Sequence, residues 1–270
     1  MVRKTLRARL AAVWESTRTL FQLGFLLFLR DYRARFRQTF FGSLWAVGQV
    51  LLSYVPLVMV GSHFGLGGGQ KLYALHSMLG LLMWQMFWDG LYLPQWIGRR
   101  LRGVLGEISF PLEAVLIAGG CYAAFNATFY LLIILAGYVV VGVMPPASFV
   151  LGILAMPLVI AAGLSIGVYF VPLTFIYLDF RYALPLMQPA LMWTAPILYE
   201  TPASGALHWM NRLNPLTYLI AVPRDWFAEG WRLEEAAFPI TIGISLVLLA
   251  AGLRFYHYSM PRALECLPRR

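Results

Sequence analysis

Charge is scarce in this chain: Asp, Glu, Lys and Arg make up 12% of its 270 residues, about half the share a soluble domain carries. That shortage excludes a solvated globular body. Cysteine is nearly missing as well. Cys121 lies in an apolar run and Cys266 in a basic tail, which excludes a disulfide framework; neither has His, Asp or Glu at metal spacing, so both read as inert. His63, His76, His208 and His257 are scattered, and none of them lies within four residues of an Asp or Glu. A membrane glycosyl- or acyltransferase, which needs paired acids or a His–Asp-type constellation, is therefore the weaker alternative. The phosphate-cradling pattern G-x-x-x-x-G-K-[ST] is absent. The nearest stretch, "GLGGGQK" (65–71), lacks the Gly-Lys-Ser/Thr order and reads as a flexible outer turn.

What is present is apolar: 60% hydrophobic residues and a mean hydropathy of +0.70. Several runs exceed the ~20 residues that cross a ~30 Å hydrocarbon core. They show no two-residue alternation, so they read as helices and not as barrel strands. The sequence predicts an all-α polytopic membrane protein with six transmembrane helices at 43–64, 73–96, 112–143, 148–177, 182–199 and 236–256, one transmembrane domain over 1–270. With both termini in the cytoplasm, 17 of the 21 Lys and Arg residues fall on inner segments and Lys71, Arg212, Arg224 and Arg232 on outer ones, as the positive-inside rule requires. The net charge of +9 thus belongs to a membrane surface and not to nucleic acid.

Ahead of the first span, 14–40 reads as an amphipathic helix in the headgroup plane. Phe21, Phe25, Phe28, Tyr32, Phe36 and Phe40 recur at steps of three or four, with Arg30, Arg33 and Arg37 on another face. A cleaved leader is not expected, because "RDYRARFRQTF" follows the short apolar stretch where small residues belong.

Three motifs resemble the permease subunits of ABC transporters that export polysaccharides such as O-antigen, teichoic acid and capsule. "LFLRDYRARFRQTFFGSLWAV" (27–47) runs a basic helix into Gly42, Leu44 and Trp45; "IYLDFRYALPLMQPALMWTAPILY" (176–199) is an acidic–aromatic–basic turn followed by a Pro-containing span; "LNPLTYLIAVPRDWF" (213–227) precedes the last span. The chain departs from the family pattern around Phe110-Pro111, which Ser109 and Leu112 flank in place of basic residues. The resemblance implies an exporter subunit in a bacterial inner membrane that is not itself an enzyme and holds no cofactor. Two copies would form a channel for a lipid-linked polysaccharide, and ATP and Mg would bind two copies of a cytoplasmic ATPase subunit. It also implies that 97–111 is the coupling loop, with Arg99, Arg100, Arg102, Leu105 and Glu107 facing the ATPase beside the Asp179–Arg181 turn. Trp45, Tyr54, Trp193 and Tyr199 become channel-lining candidates, and 200–235 an outer gate carrying Asn214, Pro215, Arg224, Asp225 and Trp226. Export of a drug or small lipid is the alternative within this class.

Two features stay open between readings. Trp84, Trp88, Tyr92 and Trp96 form a stripe at four-residue steps, suited to sugar faces or to helix packing. Asp89 is the one acid well inside a span, where a carboxylate costs on the order of 3 kcal/mol and faces protein or water; a structural contact through Gln85 or a neighbouring helix is the preferred role. Small residues at Ala118, Gly119, Gly120, Ala123, Ala124 and Ala127 predict close helix approach in the third span.

Overall fold

In the computed structural model, residues 2–37, 48, 52, 70–105, 111–199, 204–228 and 236–265 are described. They form α1 (Val2–Phe36), α2 (Gln70–Arg100), α3 (Arg102–Leu105), α4 (Glu113–Val141), α5 (Phe149–Ile176), α6 (Phe180–Met192), α7 (Ala206–Leu213), α8 (Pro215–Ala228) and α9 (Ala237–Glu265). Among the described residues there is no strand. The all-α expectation holds.

The count of six apolar spans does not. Among the described residues three helices, α4, α5 and α9, are long and apolar enough to cross a membrane. Their outer faces present Leu132, Leu135, Val139, Leu154, Ile244 and Val247, and apolar side chains left uncovered along a whole helix face mark a lipid contact. The expected first span, 43–64, lies almost wholly outside the described residues. The expected second span is α2, which at 31 residues is about 46 Å long but carries Gln85, Asp89 and Gln95 among its aromatics. Its side chains are buried along nearly its whole length. A helix wrapped by other helices is selected for packing volume and hydrogen bonding, not for hydropathy, which is why it falls short on an apolar scale.

The expected fifth span, 182–199, is broken. α6 ends at Met192, followed by tight turns in which the Thr194 N–H bonds the Leu191 carbonyl (3.1 Å) and the Ala195 N–H bonds the Met192 carbonyl (3.4 Å). Pro196 has no N–H to continue a ladder and disfavours helix at the residue before it. The Asn214 side chain then donates to the Thr194 carbonyl at 2.9 Å and fixes the turn. At 13 residues, α6 spans about 20 Å, too short to cross.

α2 is the centre of the bundle, antiparallel to α4 and parallel to α5; it packs most extensively on α5, and α9 also packs on α5. Glycines set the α2–α5 approach. A Cβ on Gly163 would collide with the Phe87 carbonyl oxygen, one on Gly90 with the Ile160 carbonyl and one on Gly167 with that of Leu91. Backbone lies on backbone there. Of the small residues expected to matter in the third span, Gly119 does: its Cβ would fall 2.5 Å from the Pro94 Cα. Pro94, inside α2, disturbs the local ladder, and the Gln95 side chain donates to the Leu91 carbonyl at 2.8 Å. Gly120 faces open space.

α4 ends where Gly142 takes a left-handed conformation (φ 77°) and its N–H returns to the Tyr138 carbonyl, as a helix C-terminus commonly does. α1 runs from Val2 and so begins earlier than the interfacial helix expected from residue 14. It does not only lie beside the bundle: Gly24 meets Ile117, Phe28 is edge-on to Tyr122 and Tyr32 is edge-on to Phe125. Phe21 and Phe25 remain exposed, as do Arg30, Arg33 and Arg37.

Candidate functional site

The basic residues expected to couple to a partner converge on a cleft of about 460 Å³ at the end of α2. Arg99 and Arg100 close α2, Arg102 opens α3, and Arg181 comes from the start of α6; Tyr92 and Trp96 form the floor, with Thr174 and Leu178 opposite. The two arginines at the end of α2 also sit at the negative end of its dipole. The Arg99 Nη2 donates to the Tyr92 hydroxyl at 3.0 Å, and its guanidinium lies over the Tyr92 ring at 5.4 Å. Its Nη1 is buried and meets no hydrogen-bond partner among the described residues. Arg100 stacks on Trp96 at 4.8 Å and pairs with Asp31 of α1 at 3.3 Å. Asp179 is exposed and does not line the cleft. Leu105 ends α3; Glu107 lies outside the described residues.

Burial pushes the Asp31 carboxyl up despite the nearby Arg100, Arg35 and Arg30 guanidinium groups, which pull it down. A carboxyl raised in the fold stabilises it fully below the ordinary carboxylate range, and that contribution is lost as pH rises through the raised value. Asp31→Asn is expected to flatten this dependence: the fall in thermal midpoint of the detergent-solubilised protein between about pH 4 and pH 7 becomes smaller in the variant. An unchanged slope refutes the assignment.

The aromatic stripe starts at the cleft floor and runs inward. Tyr92 stacks on Trp88 at 6.1 Å and Trp88 on Trp84 at 6.0 Å. Trp84 is completely buried and Trp88 nearly so, which places these two rings inside the chain's own packing; Tyr92 and Trp96 are the half-buried end.

Asp89 sits beside the stripe and is buried. Its carboxylate accepts from Gln85 Nε2 at 3.0 Å, from Asn126 Nδ2 at 2.8 Å and from the Tyr130 hydroxyl at 2.8 Å. Gln188 of α6 donates to the Gln85 Oε1 at 3.4 Å. The acid thus ties α2 to α4, and Gln85 links α6 to the same group, a structural contact of the kind expected for it. Asn126 and Tyr130 are the members that sequence reasoning missed, and their i, i+4 spacing on the third span was the available signal. Tyr130→Phe removes one hydrogen bond to a charged group and is expected to cost about 1.5–3 kcal/mol, read as a lower unfolding midpoint. A midpoint equal to that of the parent protein contradicts the three-donor arrangement.

At the opposite end, residues 193–199 and 204–228 cap the bundle. Arg224 is buried, pairs with Asp225 through Nε and Nη2, both at 2.9 Å, and donates from Nη1 to the Pro196 carbonyl at 2.5 Å. Trp226 is edge-on to Phe238, and its carbonyl accepts from Ser148 Oγ at 2.7 Å. Asn214 holds Thr194 and also accepts from the Leu216 N–H at 3.0 Å, which starts α8 at Pro215. Tyr199 bonds Asn211 at 3.1 Å, and α7 leaves Leu207, Trp209, Met210 and Leu213 exposed. Of the channel candidates, Trp193 is 51% exposed; Trp45 and Tyr54 lie outside the described residues. The structure therefore separates the expected site residues into a basic cleft, a buried polar knot and a Pro-broken cap. No protein-family model and no curated protein matches this chain.

Proposed function

We propose that this chain is the membrane-spanning permease subunit of an ATP-driven exporter of a lipid-linked polysaccharide, acting as a homodimer with two ATPase subunits on its cytoplasmic side. The observation that carries the reading is the stiff join between the bundle and its basic end. Leu101, the single residue between α2 and α3, is buried, and its N–H continues the α2 ladder to the Ile97 carbonyl at 3.0 Å. A push on α3 is therefore passed to α2, the helix in contact with α4, α5 and α8, without slack in a linker. In this reading α2 crosses the membrane inside the bundle, sheltered from lipid, and both termini face the cytoplasm. The cap built by α7 and α8 closes the outer end. Its prolines interrupt the ladder, as in half-helices that line or block a path.

The test is association. Co-expressed with a candidate ATPase subunit, the chain is expected to co-purify with it and to make nucleotide hydrolysis depend on the glycolipid. A chain that purifies alone, with hydrolysis unaltered by its presence, refutes the reading. In a background lacking Cys121 and Cys266, Gly103→Cys on α3 is expected to react with an impermeant thiol reagent only from the cytoplasmic side.

A further inference from the structure

We propose that the arginine cleft at the end of α2 binds the phosphate ester of an anionic membrane phospholipid, entering from the surrounding leaflet. The first observation is the charge balance. Arg99, Arg100, Arg102 and Arg181 line one cleft, yet among the described residues Asp31 is the acid paired with any of them, at Arg100. A buried guanidinium nitrogen without an acceptor has lost its hydration with nothing to replace it, and that is the state of the Arg99 Nη1 among the described residues. An anion placed there supplies the acceptor. The flat fork of arginine donors matches phosphate oxygens two at a time.

The second observation is depth. Gly98, next to Arg99, faces Val115 near the start of α4 and Phe175 near the end of α5, each within 3.5 Å of an added Cβ. On α9, the Tyr256 hydroxyl bonds the Leu112 carbonyl at 2.9 Å. The apolar helices α4 and α5 therefore terminate at the level of the cleft, and α9 passes it there, which is where phospholipid phosphates lie. Basic pockets between helices at this height receive acidic headgroups. Trp96 and Tyr92 complete the fit, since amphipathic rings favour the interface. Tyr92 lies two turns, about 12 Å, below the end of α2, a depth reached from the leaflet side without unfolding a partner protein's surface.

The proposal needs membrane insertion of α4, α5 and α9 and no ATPase or glycan, so its outcome is independent of the export reading. The experiment is native mass spectrometry of the detergent-solubilised full chain with equal amounts of cardiolipin and phosphatidylcholine, and separately with inorganic pyrophosphate. Expected is selective retention of cardiolipin, reduced about tenfold or more in Arg99→Gln and in Arg181→Gln, because each removes a charge-assisted contact. Arg181 is exposed, so its loss leaves the fold intact; Arg99→Lys, which keeps the charge without the fork, should recover part of the binding. Arg212→Gln, in the cap, should change nothing. Equal retention of the two lipids, retention unaltered in both glutamine variants, or pyrophosphate binding that displaces cardiolipin overturns the proposal.

Discussion

Gly163→Val is expected to prevent the chain from reaching a monodisperse folded state in detergent, and Gly163→Ala to lower its unfolding midpoint. Helix propensity alone predicts the reverse, since alanine is favoured over glycine by about 1 kcal/mol in a helix interior. The sign is decided by what the new methyl meets. At Gly163 it meets the Phe87 carbonyl, which belongs to the neighbouring backbone and has no rotamer to yield. The two central helices must then separate, and the contacts at Gly90 and Gly167 are lost with the first. Overpacking of a well-filled core costs about 1–3 kcal/mol, and parting two backbones belongs at or above the upper end of that range. Gly120→Ala and Gly243→Ala supply the control. An added Cβ meets nothing at either position, so both should keep or raise the midpoint. A Gly163→Ala protein as stable as these controls would show that α2 and α5 are not in contact as described.

Glycine spacing also shows where the sequence was informative and where it was not. Small residues on the third span did announce a close approach, and Gly119 against Pro94 delivers it. Gly90, Gly163 and Gly167 carry the tighter crossing, but in isolation they look like the ordinary glycines of apolar runs, because their meaning depends on which helices become neighbours. α2 shows the same limit from the other side. Its four-step aromatic stripe and its lone Asp89 were visible as patterns, yet whether a ring faces a channel or a core depends on the helix beside it; for Trp84 the answer is the core. The break after Met192 was legible in principle. Pro196 and the Asn214 amide set it locally, but a hydropathy window averages over both. The arginines of the cleft were separately evident, whereas their convergence was not, since Arg181 is brought to Arg99 only by the parallel packing of α5 on α2.

The buried ion pair of the cap yields the other large effect. The Arg224 side chain is 8% exposed and that of Asp225 13%, so neither charge is well hydrated. Arg224→Ala removes the guanidinium that the Asp225 carboxylate and the Pro196 carbonyl share, a loss that costs about 3–5 kcal/mol for a buried pair. The expected readout is proteolytic cleavage between Trp193 and Ala228 under conditions where the parent protein resists, together with a lower unfolding midpoint. Replacing both partners, Arg224→Met with Asp225→Leu, removes both charges and is expected to restore most of the stability, since apolar side chains of similar volume often replace such pairs at little cost. That double variant also separates packing from gating. If the pair only packs the cap, proteoliposomes of the double variant retain a trapped oligosaccharide as the parent does. If the pair latches an outer gate, the refolded cap no longer closes and the oligosaccharide escapes, although the protein is as stable as before.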